Sequence, residues 1–345
     1  MKYIISAISV LTILLLQTEG TQAQNYSIKP EAVIHTYLGN EARNYYGNKA
    51  PDKLNLIWKH ELGSGMSPAY GKDKIWAGAG WTGQPLFIRE GQKDFLIIGA
   101  FDYHLKKINA ETGKLVWQYK FDDILKGTGT FFINKNAKKI EEKYIIIQGS
   151  RRGVTKKIND RYTPSLRAVS YLTGKELWRM NVTQTDSYSR DVDGSALVVD
   201  DTAYLALENG LFTVFNPDPA KQELLDDMKQ PKIYKQLKYY TPADIELHGD
   251  DLVSESSPTL AGNMIYTTAG SGHVYGYNRE TGKNTFDLYI GTDLNGSAPL
   301  TDDSCLIIPV EKQYTDGPGG VMKIDPTKPG EKSIIWFYPT PNKKW

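Results

Sequence analysis

A motif that recurs along the chain places the strongest constraint on its fold. Three copies run from Ile108 to Trp117 (INAETGKLVW), from Val169 to Trp178 (VSYLTGKELW) and from Gly276 to Phe286 (GYNRETGKNTF). A degenerate fourth copy runs from Met322 to Trp336. The Thr-Gly pair suits a hairpin turn that needs a positive φ, which glycine adopts without steric cost. The aromatic residue then falls on the returning strand, where its ring can pack against a neighbouring sheet.

The spacing of these rings predicts the size of the repeating unit. The structural repeat residues are the pairs Gly113 with Trp117, Gly174 with Trp178 and Gly282 with Phe286, followed by Trp336. Trp58 precedes Trp117 by 59 residues, and the interval between Trp178 and Phe286 is about twice as long as a single repeat, with Tyr234 near its midpoint. A repeat of roughly 50 to 60 residues filled with short strands is typical of a four-stranded propeller blade.

A second repeated element supports the same architecture. Five segments begin with small residues and are each followed by two further β-rich segments in the same order. These segments start at Thr82, Gly127, Asp193, Ser256 and Gly296. Small residues suit the crowded first strand beside a propeller axis. The sequence therefore predicts an all-β propeller with about five complete blades, at 82–121, 128–182, 194–238, 257–289 and 297–338.

One predicted strand stands outside these five blades. Leu54–Leu62 (LNLIWKHEL) has the pattern of a fourth, outer strand, but no inner strands precede it. Alternatively, Ser64–Gly80 forms extra strands that fill this place. The expected division is a polar lead-in at 24–53, of uncertain structure, and a propeller domain at 54–345.

The N-terminus is typical of a secretory signal peptide. Lys2 supplies a positive start, Tyr3–Leu16 is apolar, and Thr21-Gln22-Ala23 offers small residues at the cleavage positions. The alternative is a membrane anchor, but about 14 apolar residues fall short of the ~20 that span a bilayer. We therefore expect residues 1–23 to be removed, no transmembrane segment in the mature chain, and a periplasmic or extracellular location. The net charge of +1 argues against a nucleic-acid partner.

With its ETGKLVW-type motifs, the chain resembles the PQQ-like, quinoprotein-type β-propeller repeat family over about Leu54–Tyr338. That family includes quinoprotein alcohol dehydrogenases and non-enzymatic BamB-type assembly lipoproteins of the outer membrane. The resemblance implies seven or eight blades, so we expect the five blades and the orphan strand to form an incomplete ring. It is specific for the fold and weak for function.

The resemblance also bears on cofactors. The quinoprotein enzymes pair a quinone with a calcium ion held by acidic and amide side chains, under a disulfide between adjacent cysteines. Cys305 is the single cysteine here, which excludes that disulfide, and its apolar surroundings indicate a buried small side chain. Because no catalytic Asp matches a family motif, no cofactor is predicted. PQQ with calcium is the alternative.

Two polar segments that lead into first strands are candidates for a binding site. Asp191 and Asp193 are spaced like the start of a calcium loop, although a late Glu is absent. One blade later, His248–Pro258 (HGDDLVSESSP) occupies the equivalent place. Connections of this type gather on one face of a propeller, around the axial funnel. The alternative for both segments is a solvated loop with turn-capping carboxylates.

The candidate ligand-binding residues are Arg152, Arg190, Asp191, Asp193, His248, Asp250 and Glu255. Arg152 lies in a short basic loop that suits an anion or is merely solvated. His104 and His273 lack zinc-like spacing, and whether any metal binds is left open.

No nucleophile or nucleotide-binding motif is evident in the sequence. The prediction is therefore an exported binding or scaffold propeller of the cell envelope that holds a protein, peptide or glycan. The alternative is a quinone- or metal-dependent oxidoreductase with its site in the axial funnel.

Cleavage of the signal peptide is directly testable. Expression in a Gram-negative host should yield a periplasmic protein whose first residue is Gln24, because small residues precede that bond. Mass spectrometry of the intact protein checks the cleavage site. Recovery of the uncleaved chain in the membrane fraction would contradict the prediction and favour an anchor.

Overall fold

A computed structural model describes residues 29–47 and 49–339. The predicted signal peptide lies outside these residues. Within them the chain forms 24 strands, one α-helix and three short 3-10 helices, so the all-β prediction is confirmed. None of the helices in the described part is long and apolar enough to cross a membrane.

Five antiparallel sheets follow one another along the chain as blades. The first blade contains β1 (Pro30–Ile34), β4 (Leu86–Glu90), β5 (Lys93–Gly99), β6 (His104–Asn109) and β7 (Leu115–Lys120). The second contains β8 (Thr130–Ile133), β9 (Tyr144–Gly149), β10 (Leu166–Ser170) and β11 (Glu176–Met180). The third contains β12 (Leu197–Val199), β13 (Thr202–Ala206), β14 (Leu211–Asn216) and β17 (Lys232–Lys238). The fourth contains β18 (Thr259–Ala261), β19 (Met264–Thr268), β20 (His273–Asn278) and β21 (Lys283–Tyr289).

The fifth blade differs from the prediction of four full strands. It contains β22 (Leu306–Val310), β23 (Gly320–Ile324) and β24 (Ile334–Tyr338). The expected first strand, which begins at Gly296, is reduced to a single bridge between Leu300 and Leu306.

Three elements lie outside the blade sheets. They are the hairpin of β2 (Ser64–Ala69) and β3 (Lys72–Ala77), the hairpin of β15 (Glu223–Leu225) and β16 (Met228–Gln230), and the helix α1 (Pro242–His248). The 3-10 helices are Ile140–Glu142, Pro219–Lys221 and Gly330–Ser333.

The hydrophobic core is divided among the interfaces between consecutive blades. Four clusters of buried side chains join the first blade to the second, the second to the third, the third to the fourth and the fourth to the fifth. In the cluster between the second and third blades, for example, Ile147 and Trp178 pack with Leu205 and Phe215. Strands buried on both faces explain the near-continuous apolar runs of the sequence.

The two halves of the repeated motif serve different interfaces. The indole of Trp117 packs on the turn at Gly174 in the next blade and donates to the Tyr171 carbonyl at 3.0 Å. Gly174 has φ +69°, and a methyl group there would lie 2.9 Å from the Trp117 ring. Glycine is therefore required both by the turn and by the ring that lies against it. Trp178 is linked forward in the same sense, through a bond to the Pro217 carbonyl at 2.9 Å.

The repeat is interrupted at the third blade. The turn at Gly282 accepts a hydrogen bond from Lys235, so an ammonium rather than a ring contacts it. Tyr234, the residue near the expected midpoint, is half-exposed on β17. Because Lys235 takes the place of an aromatic ring at this turn, no aromatic residue of the motif could be assigned to the third blade with the usual spacing.

The prediction of a strand at Leu54–Leu62 is wrong. The segment has no regular secondary structure and pairs with no strand of the described residues. Its tryptophan nevertheless occupies the expected place, since Trp58 packs on Gly113 and donates to the Ala110 carbonyl at 2.8 Å. Ser64–Gly80 does form two strands, as the alternative proposed, but they pair only with each other. No inner strands therefore lie beside Leu54–Leu62, and a ladder cannot form.

The described part of the lead-in runs along the inner edges of the blades. Its strand β1 pairs with β4, and the carbonyl of His35 accepts from Phe131 of the second blade at 2.7 Å. The carbonyls of Glu41 and Ala42 accept from Leu260 and Leu300, in the fourth blade and before the fifth, at 2.8 and 3.0 Å. A segment without an assigned structure in the sequence is thus hydrogen-bonded to four of the five blades.

Arg43 adds further contacts between the lead-in and the blades, and we call this set of contacts the hub. Its guanidinium is fully buried and donates to the carbonyls of Pro258 at 2.9 Å and Ser195 at 3.3 Å, and to the Thr36 hydroxyl at 2.6 Å. Burial lowers the pKa of Arg43 to about 9, which still leaves it charged at neutral pH. Carbonyl dipoles of the third and fourth blades therefore stabilise this charge.

The docking of rings between blades gives a matched pair of substitutions. Trp178→Ala should lower the free energy of unfolding by about 3–5 kcal/mol, because the side chain is only 1% exposed. Trp336→Ala removes the equivalent ring of the fifth blade, which is 42% exposed, and should cost less than about 1 kcal/mol. Urea denaturation of both variants checks the difference. Equal losses would show that inter-blade docking does not control stability.

Candidate ligand site at the axial mouth

Three carboxylates meet where the blades converge. Asp193 precedes β12, Glu208 follows β13 and Glu255 precedes β18. One oxygen from each residue lies within 4.8 Å of the other two. The loops that enter first strands and leave second strands lie at one end of the propeller axis, which explains how residues far apart in sequence come together. We call Asp193, Glu208 and Glu255 the carboxylate cluster.

A buried lysine is the nearest cation. Lys126, which precedes β8, places its Nζ atom 2.5 Å from the Asp193 Oδ2 atom and 5.4 Å from the centroid of the Trp81 ring. Burial opposes the charged form of Lys126, but Asp193 and the other carboxylates outweigh it and hold its pKa well above the usual value. Lys126 is therefore a permanent ammonium beside the cluster.

Apart from the Asp193 Oδ2 atom, which lies against the Lys126 ammonium, two carboxyl oxygens of the cluster are buried without a hydrogen-bond partner among the described residues. The Oε2 atom of Glu208 accepts from the Ser189 hydroxyl at 2.6 Å, while its Oε1 atom is unpartnered. The Oδ1 atom of Asp193 is likewise unpartnered. A buried polar atom left without a partner costs free energy, so these oxygens indicate a place for a ligand or a proton.

Burial also changes the protonation of the cluster. It raises the pKa of Glu208 well above its ordinary value and that of Glu255 to about 7, with Asp193 adding repulsion in both cases. Asp293 is close by, and burial together with the charge of Asp251 raises its pKa to about 7 as well. The axial mouth therefore contains more carboxyl groups than cationic groups. Because their pKa values are raised, Glu208, Glu255 and Asp293 keep their protons to a higher pH than exposed carboxyl groups do.

A second ion pair, between Arg151 and Asp191, lies at the edge of the axial mouth. We call this edge the rim. The Nε atom of Arg151 lies 2.7 Å from the Asp191 Oδ2 atom, and the other oxygen of Asp191 accepts from the backbone of Arg152 at 2.9 Å. Arg151 also donates to the Ser67 hydroxyl at 2.7 Å and to the Pro68 carbonyl at 2.6 Å. The hairpin of β2 and β3 is tied to the mouth through this guanidinium.

Two exposed aromatic rings lie near the carboxylate cluster and Lys126. Trp81 is 67% exposed and Tyr188 is 49% exposed. Burial and the charge of Asp251 raise the pKa of Tyr188, so its hydroxyl is neutral. Tyr314 donates to the Asp251 Oδ2 atom at 2.6 Å. Aromatic groups beside carboxylates favour the binding of cations.

Of the residues singled out in the sequence, Asp193 and Glu255 lie in the carboxylate cluster, and Asp191 lies beside them. Arg190 does not face the mouth: it donates to the carbonyls of Val182 at 2.6 Å and Asp160 at 2.6 Å. The side chain of Arg152 donates to the Lys156 carbonyl at 3.2 Å. Both guanidinium groups hold loops together.

The two residues from the next polar segment also take other places. His248 ends α1 and lies edge-on to Tyr314, with ring centroids 4.5 Å apart, and burial lowers its pKa. Asp250 contributes its carbonyl, which accepts from the Tyr188 backbone at 2.9 Å. Both residues support the rim.

Three other residues considered in the sequence lie outside the cluster. His273 lies between two carboxylates, 2.6 Å from Asp287 and 3.3 Å from Asp244, and their charge raises its pKa despite burial. The Nδ1 atom of His104 lies 2.7 Å from the Asp102 carbonyl. Cys305 is a buried free thiol.

Sequence reasoning missed Glu208, Lys126, Arg151 and Trp81. The sequence does contain a signal for Glu208, because a polar side chain near the end of the second strand of a blade points to the axial mouth. Gln148 is the penultimate residue of β9, Glu208 lies two residues after β13, and Glu311 directly follows β22. Lys126 and Trp81 carry no comparable signal, since a single lysine or tryptophan in a loop is usually surface or core.

Comparison with known proteins assigns the chain to a family. A family model described as outer membrane protein assembly factor BamB matches residues 55–224 and, in a second overlapping placement, 163–327. The chain belongs to this family. The predicted PQQ-like repeat architecture is therefore confirmed. No curated protein matches the sequence.

Solved structures show the same fold at low sequence identity. BamB from Moraxella catarrhalis matches with a TM-score of 0.51 and 12% identity, over 81% of this chain and 71% of the BamB chain. A europium-containing methanol dehydrogenase matches with a TM-score of 0.56 and 14% identity, over 89% of this chain. This chain spans 58% of the length of the dehydrogenase. At these identities the likeness establishes the fold alone.

The raised pKa of Glu255 predicts a pH dependence of stability. Its pKa is about 7 in the folded chain against an ordinary 4.5, so its stabilising contribution is complete below pH 4.5 and is lost as pH rises through 7. The loss for this one group is about 3 kcal/mol. The charged or titratable groups that influence Glu255 are Asp191, Asp193, Lys126, Glu208, Asp293, Glu311 and Tyr188.

Glu255→Gln should therefore flatten the fall in unfolding temperature between pH 5 and 8 and exceed the wild type in stability above pH 7.5. Thermal unfolding in a buffer free of amines and divalent cations checks this expectation. The exposed Glu111→Gln is the control and should follow the wild type. Identical pH profiles for all three proteins would contradict the pKa shift.

Proposed function

We propose that this protein is an exported binding or scaffold propeller of the cell envelope whose axial mouth holds a protein partner. The observation that carries the proposal is the mouth itself, where loops of the third and fourth blades bring together three carboxylates beside Lys126, which precedes the second blade. The exposed rings of Trp81 and Tyr188 lie near these groups. Aromatic anchors beside charged groups are typical of the residues that dominate protein interfaces.

Family membership supports a protein partner. The matching family model is described as an outer membrane assembly factor, and BamB is also among the similar solved structures. Propellers bind partners with loops at one end of the axis while the blades form a rigid support. The predicted signal peptide accounts for the envelope location in this proposal.

The quinone alternative fits the mouth poorly. Pyrroloquinoline quinone is a tricarboxylate, and here it would meet Glu208, Glu255 and Asp293 with Lys126 as the nearby cation. Carboxylate groups that face one another in a buried site repel unless protons neutralise them. The carboxylate cluster would suit a hard cation such as calcium, held by Asp193, Glu208 and Glu255. The chemistry of the mouth thus favours a cationic ligand over an anionic cofactor.

A photo-crosslinking experiment with matched positions tests the proposed function. p-Benzoylphenylalanine replaces either Tyr188, 49% exposed at the mouth, or Tyr234, 51% exposed on the outer strand β17. Irradiation of cells that export the full chain should give a discrete protein adduct from position 188 and none from position 234. Absence of an adduct at 188, or the same adducts from both positions, would contradict binding at the mouth.

A further inference from the structure

We infer that the inner edge of the third blade is a binding site for an extended peptide segment, at the end of the propeller axis opposite the carboxylate cluster. The segment would add as a strand beside β12 and exchange two hydrogen bonds with the backbone of Val198. This site is distinct from the axial mouth, so the inference goes beyond the proposed function and does not depend on it.

The lead-in shows how the inner edges of the other blades are covered. Its strand β1 pairs with the first blade, and its carbonyls accept one backbone amide each from the second, fourth and fifth blades. These bonds run from Phe131 to His35, from Leu260 to Glu41 and from Leu300 to Ala42, at 2.7, 2.8 and 3.0 Å. In the described chain, the backbone of the lead-in makes no such bond to the third blade.

Val198 is the residue of the third blade that corresponds to Leu260. Val198 pairs with Ala203 and Leu260 pairs with Ile265, in each case one position before the pair that flanks the turn. Hydrogen-bonded and non-hydrogen-bonded pairs alternate along an antiparallel ladder, so Val198 and Leu260 direct their N–H and C=O groups to the same side. Leu260 uses its N–H to bind the Glu41 carbonyl, but no group of the described residues binds Val198 from that side.

A cavity of about 590 Å³ lies in front of this edge. Its walls are formed by β1, β8 and β12 and include the apolar side chains of Ala32, Phe132 and Leu197. The exposed Asp200–Asp201 turn also lines it. Because Asp193 precedes β12 and this turn follows it, the cavity and the carboxylate cluster lie at opposite ends of the axis. The volume falls within the range of ligand sites, about 300–1,000 Å³.

The second blade presents another open strand edge to the same cavity. The N–H of Phe131 points towards the lead-in, so Ile133, two residues later, directs its own N–H and C=O groups to that side. Ile133 lines the cavity, and no hydrogen bond reaches it from that side within the described residues. An extended peptide offers both an N–H and a C=O at every second residue, as in strand addition to a sheet edge.

The length and chemistry of the segment follow from the walls. Strand β12 has three residues and β8 has four, so a segment of three or four residues, about 10–13 Å long, covers either edge. Two carboxylates at the cavity already have partners, because Glu41 lies 3.1 Å from His35 and Asp200 lies 2.5 Å from Arg279. Apolar walls and satisfied charges favour an uncharged segment rich in β-branched residues, which readily adopt the extended conformation.

The test uses the exported protein labelled with ¹⁵N-valine, with the Val198 amide signal assigned by its loss in Val198→Ala. The probe is the peptide acetyl-Val-Thr-Val-Thr-amide, and its control is the same peptide with N-methyl groups on the two central residues. In the free protein the Val198 amide should exchange rapidly with deuterium. The probe should shift this signal saturably and slow its exchange, whereas the N-methylated peptide should bind about tenfold more weakly, since it lacks the donors.

A matched pair of variants identifies the backbone group. Val198→Pro removes the N–H at an edge where proline is tolerated, because no bond within the sheet uses that N–H. Val198→Ala keeps the N–H and removes most of the side chain. Titration calorimetry should show about tenfold weaker binding of the probe by the proline variant and less than threefold weaker binding by the alanine variant. Thermal unfolding confirms that both variants are folded.

Three results would overturn the inference. They are slow exchange of the Val198 amide in the free protein, equal binding of the probe and its N-methylated control, and an unchanged affinity in folded Val198→Pro. The first two measurements are made on the wild type, so the inference stays testable if the proline variant does not fold.

Discussion

The first blades of the structure depend on one repeated contact, the placement of an indole ring on the glycine turn of the blade that follows it. Trp58 packs on Gly113 and Trp117 packs on Gly174, each with an indole hydrogen bond to a carbonyl near that turn. Flat sheets with two apolar faces can stack in many ways, but a ring on a glycine without a side chain fixes both the distance and the rotation between blades. That angle, repeated, gathers the inner strands around one axis.

The axial mouth is a consequence of this geometry. Once the blades are fixed, loops separated by more than 60 residues in the chain bring Lys126, Asp193 and Glu255 together. Burying three carboxylates beside one lysine costs free energy, which the hydrogen bond from Ser189 and the raised pKa of Glu208 reduce only in part. Such a cost is retained most often at sites that function, and this one faces the end of the axis where a ligand can relieve it.

Much of the fold could be predicted from the sequence because the repeat contains residues that favour specific backbone conformations. Gly113, Gly174 and Gly282 do take positive φ, and the blade order follows the predicted strands. The prediction of a strand at Leu54–Leu62 was wrong for a physical reason. An apolar pattern predicts a strand, but a strand needs neighbours to pair with. The site was predicted only where polar loops enter first strands, at Asp193 and Glu255. Glu208 and Lys126 depend on long-range convergence that no local pattern encodes.

The lead-in has a consequence for the order of assembly. Arg43 and Ala42 belong to the earliest part of the described chain, yet their partners at Pro258 and Leu300 lie more than 200 residues later. A chain that emerges from its N-terminus onward must keep this guanidinium in water until the fourth blade exists, because burying it earlier would leave its donors unmatched. These contacts of the lead-in therefore form last, although Arg43 and Ala42 are synthesised before their partners. The lead-in is fully docked only in molecules whose later blades are already folded.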